Sequence, residues 1–122
     1  LSRHSRCEIV MGVTVELLSE GYGTKPVKGQ TVTVHCTGML ELPGEPLKKF
    51  WSTLDSGDPF SFQIGLGLVI KGWDEGVLQM KVGEKSRLHM TSDYGYGAKG
   101  FPAWGIPKDA PLCFEIELVS CT

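Results

Sequence analysis

At 122 residues, with 41% hydrophobic and 21% charged residues, the chain has the size and composition of one soluble globular domain, too small for two. A net charge of −2 and a pI near 5.9 leave no basic stripe for nucleic acid and no polybasic cluster for an anionic membrane, and no apolar run nears the roughly 18 residues of a membrane span. Sixteen glycines and seven prolines predict many tight connections, as in a sheet-rich fold.

Residues 1–10, LSRHSRCEIV, show no strong period and lack the apolar run of a signal peptide. Met11-Gly12 reads as a natural start, and Glu16 stands where a myristoylation signal wants Ser or Thr. Residues 1–11 are therefore expected to be a flexible extension or remnant, and 12–122 the domain. Val13, Val15 and Leu17 alternate with Thr14 and Glu16 as a strand, and SEGYGTKPVKG follows as a loop. In TVTVHCTG, Val32, Val34 and Cys36 share one face, which leaves His35 on the other as a surface residue rather than a base. LKKFWS reads as a short strand, and FSFQIG puts Phe60, Phe62 and Ile64 on one side.

The one amphipathic helix is predicted over Val69–Met80. Trp73, Val77 and Met80 form its apolar stripe, Lys71, Asp74, Glu75 and Gln79 face water, and Gly83 supplies the stop. Its first turn sets an indole beside backbone N–H groups that lack helical partners. EKSRLHMTS and LCFEIELV complete the strands, with Leu88, Met90, Leu112, Phe114, Ile116 and Leu118 inward. Five or so period-two strands, one helix and no βαβ alternation predict an α+β domain, an antiparallel sheet folded over that helix. Between the last two strands, residues 92–111 carry Tyr94, Tyr96, Phe101, Trp104 and Ile106 among glycines. That is too apolar for disorder and suggests a hinged flap over a pocket.

Covalent chemistry finds little support. No Ser, Cys or Thr has a recognisable base beside it, GYGTKP and YGYGAKG match neither phosphate loop, and Asp74 and Glu75 diverge on the helix. Cys7, Cys36, Cys113 and Cys121 form no CxxC pair and His4, His35 and His89 are scattered, so neither metal nor cofactor is expected. A reducing, cytoplasmic setting is the simpler assumption, and the sequence leaves a disulfide open. What remains is an apolar pocket with a few hydrogen-bond donors.

GQTVTVHCTGML, KKFWST, PFSFQIG, VIKGWDEGVLQMKVGE, SDYGYGAKG, GIP and LCFEIELV occur in an order and spacing that resemble the FKBP family of peptidyl-prolyl isomerases (rotamases, immunophilins). The resemblance runs from Gly12 to Val119, is to the small single-domain form, and on HCTG, FWST and FPAWGI is closest to the plant and green-algal branch. It implies a five- to six-stranded antiparallel half-barrel wrapped around one short α-helix. Trp73 would be the pocket floor, Phe60, Val69, Ile70 and Phe114 the walls, and Phe50, Tyr96, Phe101 and Ile106 the rim. Cys36, Trp51 and Leu68 would complete the ligand contacts. Tyr96, Ile70, Trp73 and Phe114 would serve catalysis, the Tyr96 hydroxyl and Ile70 N–H donating to a carbonyl.

The implied activity is rotation about X–Pro bonds in protein folding, with proline-containing polypeptides as partners and no covalent intermediate. Family members also receive tacrolimus and rapamycin, with calcineurin or TOR kinase as ternary partner, and act as monomers. Cys36, Trp51, Phe101 and Leu68 stand where tyrosine, aspartate, histidine and glutamate are common in the animal pattern, and Trp104-Gly105 replaces an isoleucine. Those changes spare the floor and walls but remove polar contacts to a macrolide, a loss for which Asp55 is the candidate substitute. The alternative reading is a proline-segment or drug-dependent binding module whose catalysis is incidental.

Overall fold

In the computed structural model, residues 7–10 and 13–122 are described, without the side chains of 7–10, Ser56 and Trp104. The strands are β1 (Cys7–Val10), β2 (Val13–Ser19), β3 (Thr31–Leu40), β4 (Lys48–Ser52), β5 (Phe60–Gln63), β6 (Lys85–Met90) and β7 (Leu112–Cys121), of which β2 to β7 arise from the period-two runs. All pairings are antiparallel, in the order β1-β2-β6-β7-β3-β4. β5 also pairs with β3, along Thr31–Val34, while β4 takes Thr37–Leu40. The two short strands thus lie end to end on one edge, so seven strands fill six rows. The expected α+β architecture stands.

The concave face is the apolar one. Val32, Val34, Leu88, Leu112, Ile116 and Leu118 are fully buried there, and α2 (Lys71–Gly76) packs across it. Each buried aliphatic side chain contributes about 1.5–3 kcal/mol relative to exposure. Trp73, Val77 and Met80 turn into this core as predicted. Glycines set how close the helix comes. A Cβ on Gly76 would sit 2.9 Å from both Leu88 methyls, and one on Gly72 would strike the Met90 sulfur.

Four details differ from the sequence reading. Cys7–Val10, expected outside the domain, pairs with β2 in the register Val10↔Val13; a four-residue strand shows no period, and a cross-strand partner is not visible locally. The remainder of the expected extension and the supposed start, residues 1–6 and 11–12, lie outside the described residues. The predicted twelve-residue helix is α2 followed by a 3₁₀ turn at Val77–Gln79, and extended Met80 (φ −91°) ends it rather than Gly83, which shapes the turn before β6. A second helical turn, α1 (Thr53–Ser56), follows β4, with Ser52 Oγ accepting from Leu54 N–H at 3.1 Å and left-handed Gly57 closing it. Asp74 does not face water alone; its carboxylate accepts from Gly65 N–H (2.9 Å) and Gly67 N–H (2.8 Å).

Candidate functional site

The cleft lies where the α2 N-terminus meets the broken edge formed by β4 and β5. Trp73, 4% exposed, is its floor. Phe114 of β7 meets the indole edge-on at 5.2 Å and 89°, and Phe60 of β5 does so at 5.8 Å and 73°. Phe62 supports it from the core at 5.5 Å. Such pairs add about 0.5–1.5 kcal/mol each beyond area burial. Trp51, at the end of β4, forms a side wall 6.3 Å from Trp73 and from Phe60. The opposite wall is the Gly67–Ile70 segment, held by Asp74 from within the helix it precedes. Tyr96 closes the rim, its ring stacked on Phe101 at 5.2 Å and 17°. The enclosed space is about 430 Å³.

Two donors border this apolar space. Ile70 is the N-cap of α2: its carbonyl accepts from Trp73 N–H (3.0 Å) and Asp74 N–H (3.2 Å), while its own N–H has no acceptor among the described residues. Tyr96 is half-buried, and burial raises its phenol above the ordinary range, so the hydroxyl keeps its proton as a donor. The indole Nε1 of Trp73 is also buried without a partner among the described residues. Among the described residues of the lining, Tyr96 is the one titratable side chain, and what they offer is shape, dryness and hydrogen bonds.

Eight of the predicted site residues line the cleft together: Trp51, Phe60, Leu68, Val69, Ile70, Trp73, Tyr96 and Phe114. The other four do not. Phe50 packs behind Phe114 (5.8 Å, 89°), and Phe101 stands behind Tyr96. Ile106, 2% exposed, exchanges two backbone hydrogen bonds with Phe101 (2.9 and 3.1 Å) and so holds the flap's base. Cys36 is buried in the core, where burial pushes its thiol up to about 12. Asp55 is no substitute acid at the cleft, since it pairs outward with Lys49 at 3.1 Å. Gly67 was missed because a lining contributed by backbone leaves no side-chain signature.

An antiparallel half-barrel closed over one helix carries, at its broken edge, a dry aromatic cleft bordered by two hydrogen-bond donors. Residues 22–119 match the family described as FKBP-type peptidyl-prolyl cis-trans isomerase. The chain belongs to that family, and it is a peptidyl-prolyl cis-trans isomerase. It is 60% identical over 111 residues to "Peptidyl-prolyl cis-trans isomerase FKBP12" of Arabidopsis thaliana, covering 90% of this chain and 98% of that one. To the protein of the same name from Vicia faba it is 56% identical, covering 89% and 97%. "FK506-binding protein 1A" of Aspergillus fumigatus is similar at 54% identity, covering 89% and 94%. No helix among the described residues is long and apolar enough to cross a membrane.

Proposed function

We propose that the Trp73 cleft seats the proline ring of an X–Pro segment on the indole and accelerates rotation by desolvation and shape, with no covalent intermediate. The observation that carries this is the pairing of an apolar lining with two donors, Ile70 N–H and Tyr96 O–H, at its border. The barrier of about 18–20 kcal/mol is amide resonance, which places partial charge on nitrogen and carbonyl oxygen. A twisted amide has lost that resonance and part of its charge separation, so a dry cleft favours it over the planar ground state. Lowering the barrier by about 7 kcal/mol corresponds to roughly 10⁵ in rate. The donors hold a carbonyl of the bound segment, and Phe114 and Phe60 confine the ring while the amide turns.

The same cleft suits tacrolimus- and rapamycin-type macrolides, with calcineurin or TOR kinase reading the filled surface. The name of the Aspergillus relative supports this. Trp51 in place of an aspartate extends the aromatic wall and withdraws one polar contact from such a ligand. The binding-module reading draws on the rim, where Leu68 (62% exposed) and Leu66 (47%) offer apolar surface to a second protein. The free thiols of Cys36, Cys113 and Cys121 suit a reducing cytoplasm, and a monomer is the assembly we infer.

A protease-coupled assay on a short X–Pro peptide, run beside a macrolide-binding measurement, tests the reading. Tyr96→Phe should cost several-fold in kcat/KM, one hydrogen bond being about 0.5–1.5 kcal/mol. Trp73→Leu should cost far more while the protein stays folded. Unchanged turnover in both variants would sink the proposal. Lost turnover with intact partner capture and phenotype would favour the binding module.

A further inference from the structure

The convex face of the sheet, turned away from the cleft, gathers a second set of chemically distinctive side chains. His89 on β6 and Cys113 on β7 are direct cross-strand partners, pointing opposite to Leu88, Met90, Leu112 and Phe114. Glu41 follows β3 and is fixed beside them by its N–H bond to Pro111 O (3.0 Å). His89 Nδ1 lies 2.8 Å from Glu41 Oε1, and its Nε2 lies 2.8 Å from Glu16 Oε1 on β2. One ligand atom each from Glu41, His89 and Cys113 falls within 4.8 Å of the others.

We propose that Glu41, His89 and Cys113 bind one thiophilic divalent cation, zinc in the first instance, with Glu16 orienting the imidazole from behind. Thiolate, imidazole and carboxylate together form a zinc donor set, and a lone carboxylate beside a thiolate suits magnesium or calcium poorly. Zinc bonds of about 2.0 Å to N and O and about 2.3 Å to S put donor atoms roughly 3.3–3.7 Å apart in a tetrahedron. The Nδ1–Oε1 pair must open by about half an ångström and the thiol must draw in by about one, within reach of side-chain rotation. Glu16 supplies what a ligating histidine needs, a carboxylate on its far ring nitrogen that fixes the tautomer. Arg87, two residues back on the same face, lies cross-strand from Glu16 and Glu115.

Binding releases the thiol proton of Cys113 and the proton His89 holds toward Glu41, leaving a neutral imidazole with Nε2–H donating to Glu16. Cys113 is fully buried whereas Glu41 is partly exposed, so the ion enters from the Glu41 side and keeps a water there. It would tie β6 and β7 to the end of β3 behind Phe114.

Untagged, chelator-stripped protein titrated with zinc chloride in a calorimeter, and with cobalt(II) by absorption, tests this. The expected result is one ion per chain, a thiolate-to-cobalt charge-transfer band, and a higher Tm with zinc. Glu41→Gln and His89→Asn should each weaken zinc by tenfold or more, Cys113→Ser should abolish the band, and Glu16→Ala should cost about 10–100-fold. Isomerase turnover of Glu41→Gln should match the parent, since the cleft lies on the other face. No cobalt–thiolate band, magnesium binding as tight as zinc, or zinc affinity unchanged in Glu41→Gln would overturn the proposal. Should Cys113→Ser fail to fold, the parent's cobalt spectrum and the half-exposed Glu41→Gln variant still decide it.

Discussion

Asp74→Ala removes the carboxylate that receives Gly65 N–H at 2.9 Å and Gly67 N–H at 2.8 Å. Hydrogen bonds to a charged acceptor contribute about 1.5–3 kcal/mol each. Gly67 is exposed and Gly65 half-buried, so solvent can replace much of the first bond and less of the second. A total of roughly 2–3 kcal/mol follows, which in a domain of this size lowers Tm by about 8–12 °C. The functional effect is larger than stability alone implies, because Gly67–Ile70 is a cleft wall and ends at the Ile70 donor. A loop left free to sample other positions should lower kcat/KM about tenfold, corresponding to some 1.4 kcal/mol of transition-state stabilisation. Thermal melts and the protease-coupled assay read both quantities, with Glu75→Ala on the next helical position as a control expected to move Tm by less than about 2 °C. Should Asp74→Ala melt and turn over like Glu75→Ala, the carboxylate does not hold the wall.

Three other outcomes follow from the same geometry. In metal-free protein, the contact with Cys113 first, and then the carboxylates of Glu41 and Glu16, raise the His89 imidazole to about 10 from 6.5 against the opposing effect of burial. A cation bound more tightly when folded stabilises fully below pH 6.5 and is lost as pH rises toward 10, so His89→Gln should flatten the fall in Tm over that interval. Gly38→Ala would set a Cβ 2.7 Å from Phe50 Cζ and 2.8 Å from Phe114 Cε1; overpacking of this kind costs about 1–3 kcal/mol, and melts and kcat/KM should fall together as Phe114 shifts. Trp51→Asp should tighten macrolide binding several-fold in a fluorescence titration, about 1 kcal/mol for a regained hydrogen bond, with little change in peptide turnover.

The strands were legible where burial imposes period two, as in Val32, Val34 and Cys36 or Leu112, Phe114, Ile116 and Leu118. The inward stripe of Trp73, Val77 and Met80 was legible for the same reason at helical spacing. The cleft lining was readable where an aromatic side chain supplied it and unreadable at Gly67, where backbone does. Asp74 looked solvent-facing because its partners are amides seven and nine residues upstream, placed by a turn rather than by composition. Phe50, Phe101 and Ile106 belong to the layer behind the lining and Cys36 to the core, and a linear motif does not separate a wall from its backing. The Glu41–His89–Cys113 cluster was hidden for a related reason: strand register alone brings together residues far apart in the chain.

Gly72 and Gly76 press α2 against β6, and the indole rides on the same turn. The height of the cleft floor is therefore governed by a helix-to-sheet gap that only hydrogen atoms can occupy. A methyl at either site would lift the helix and make a shallower basin, one that excludes a five-membered ring before it disturbs any residue touching it. Sequence variation at these two inconspicuous sites is thus a route by which an isomerase of this shape can change which ligands fit, with every aromatic contact left in place.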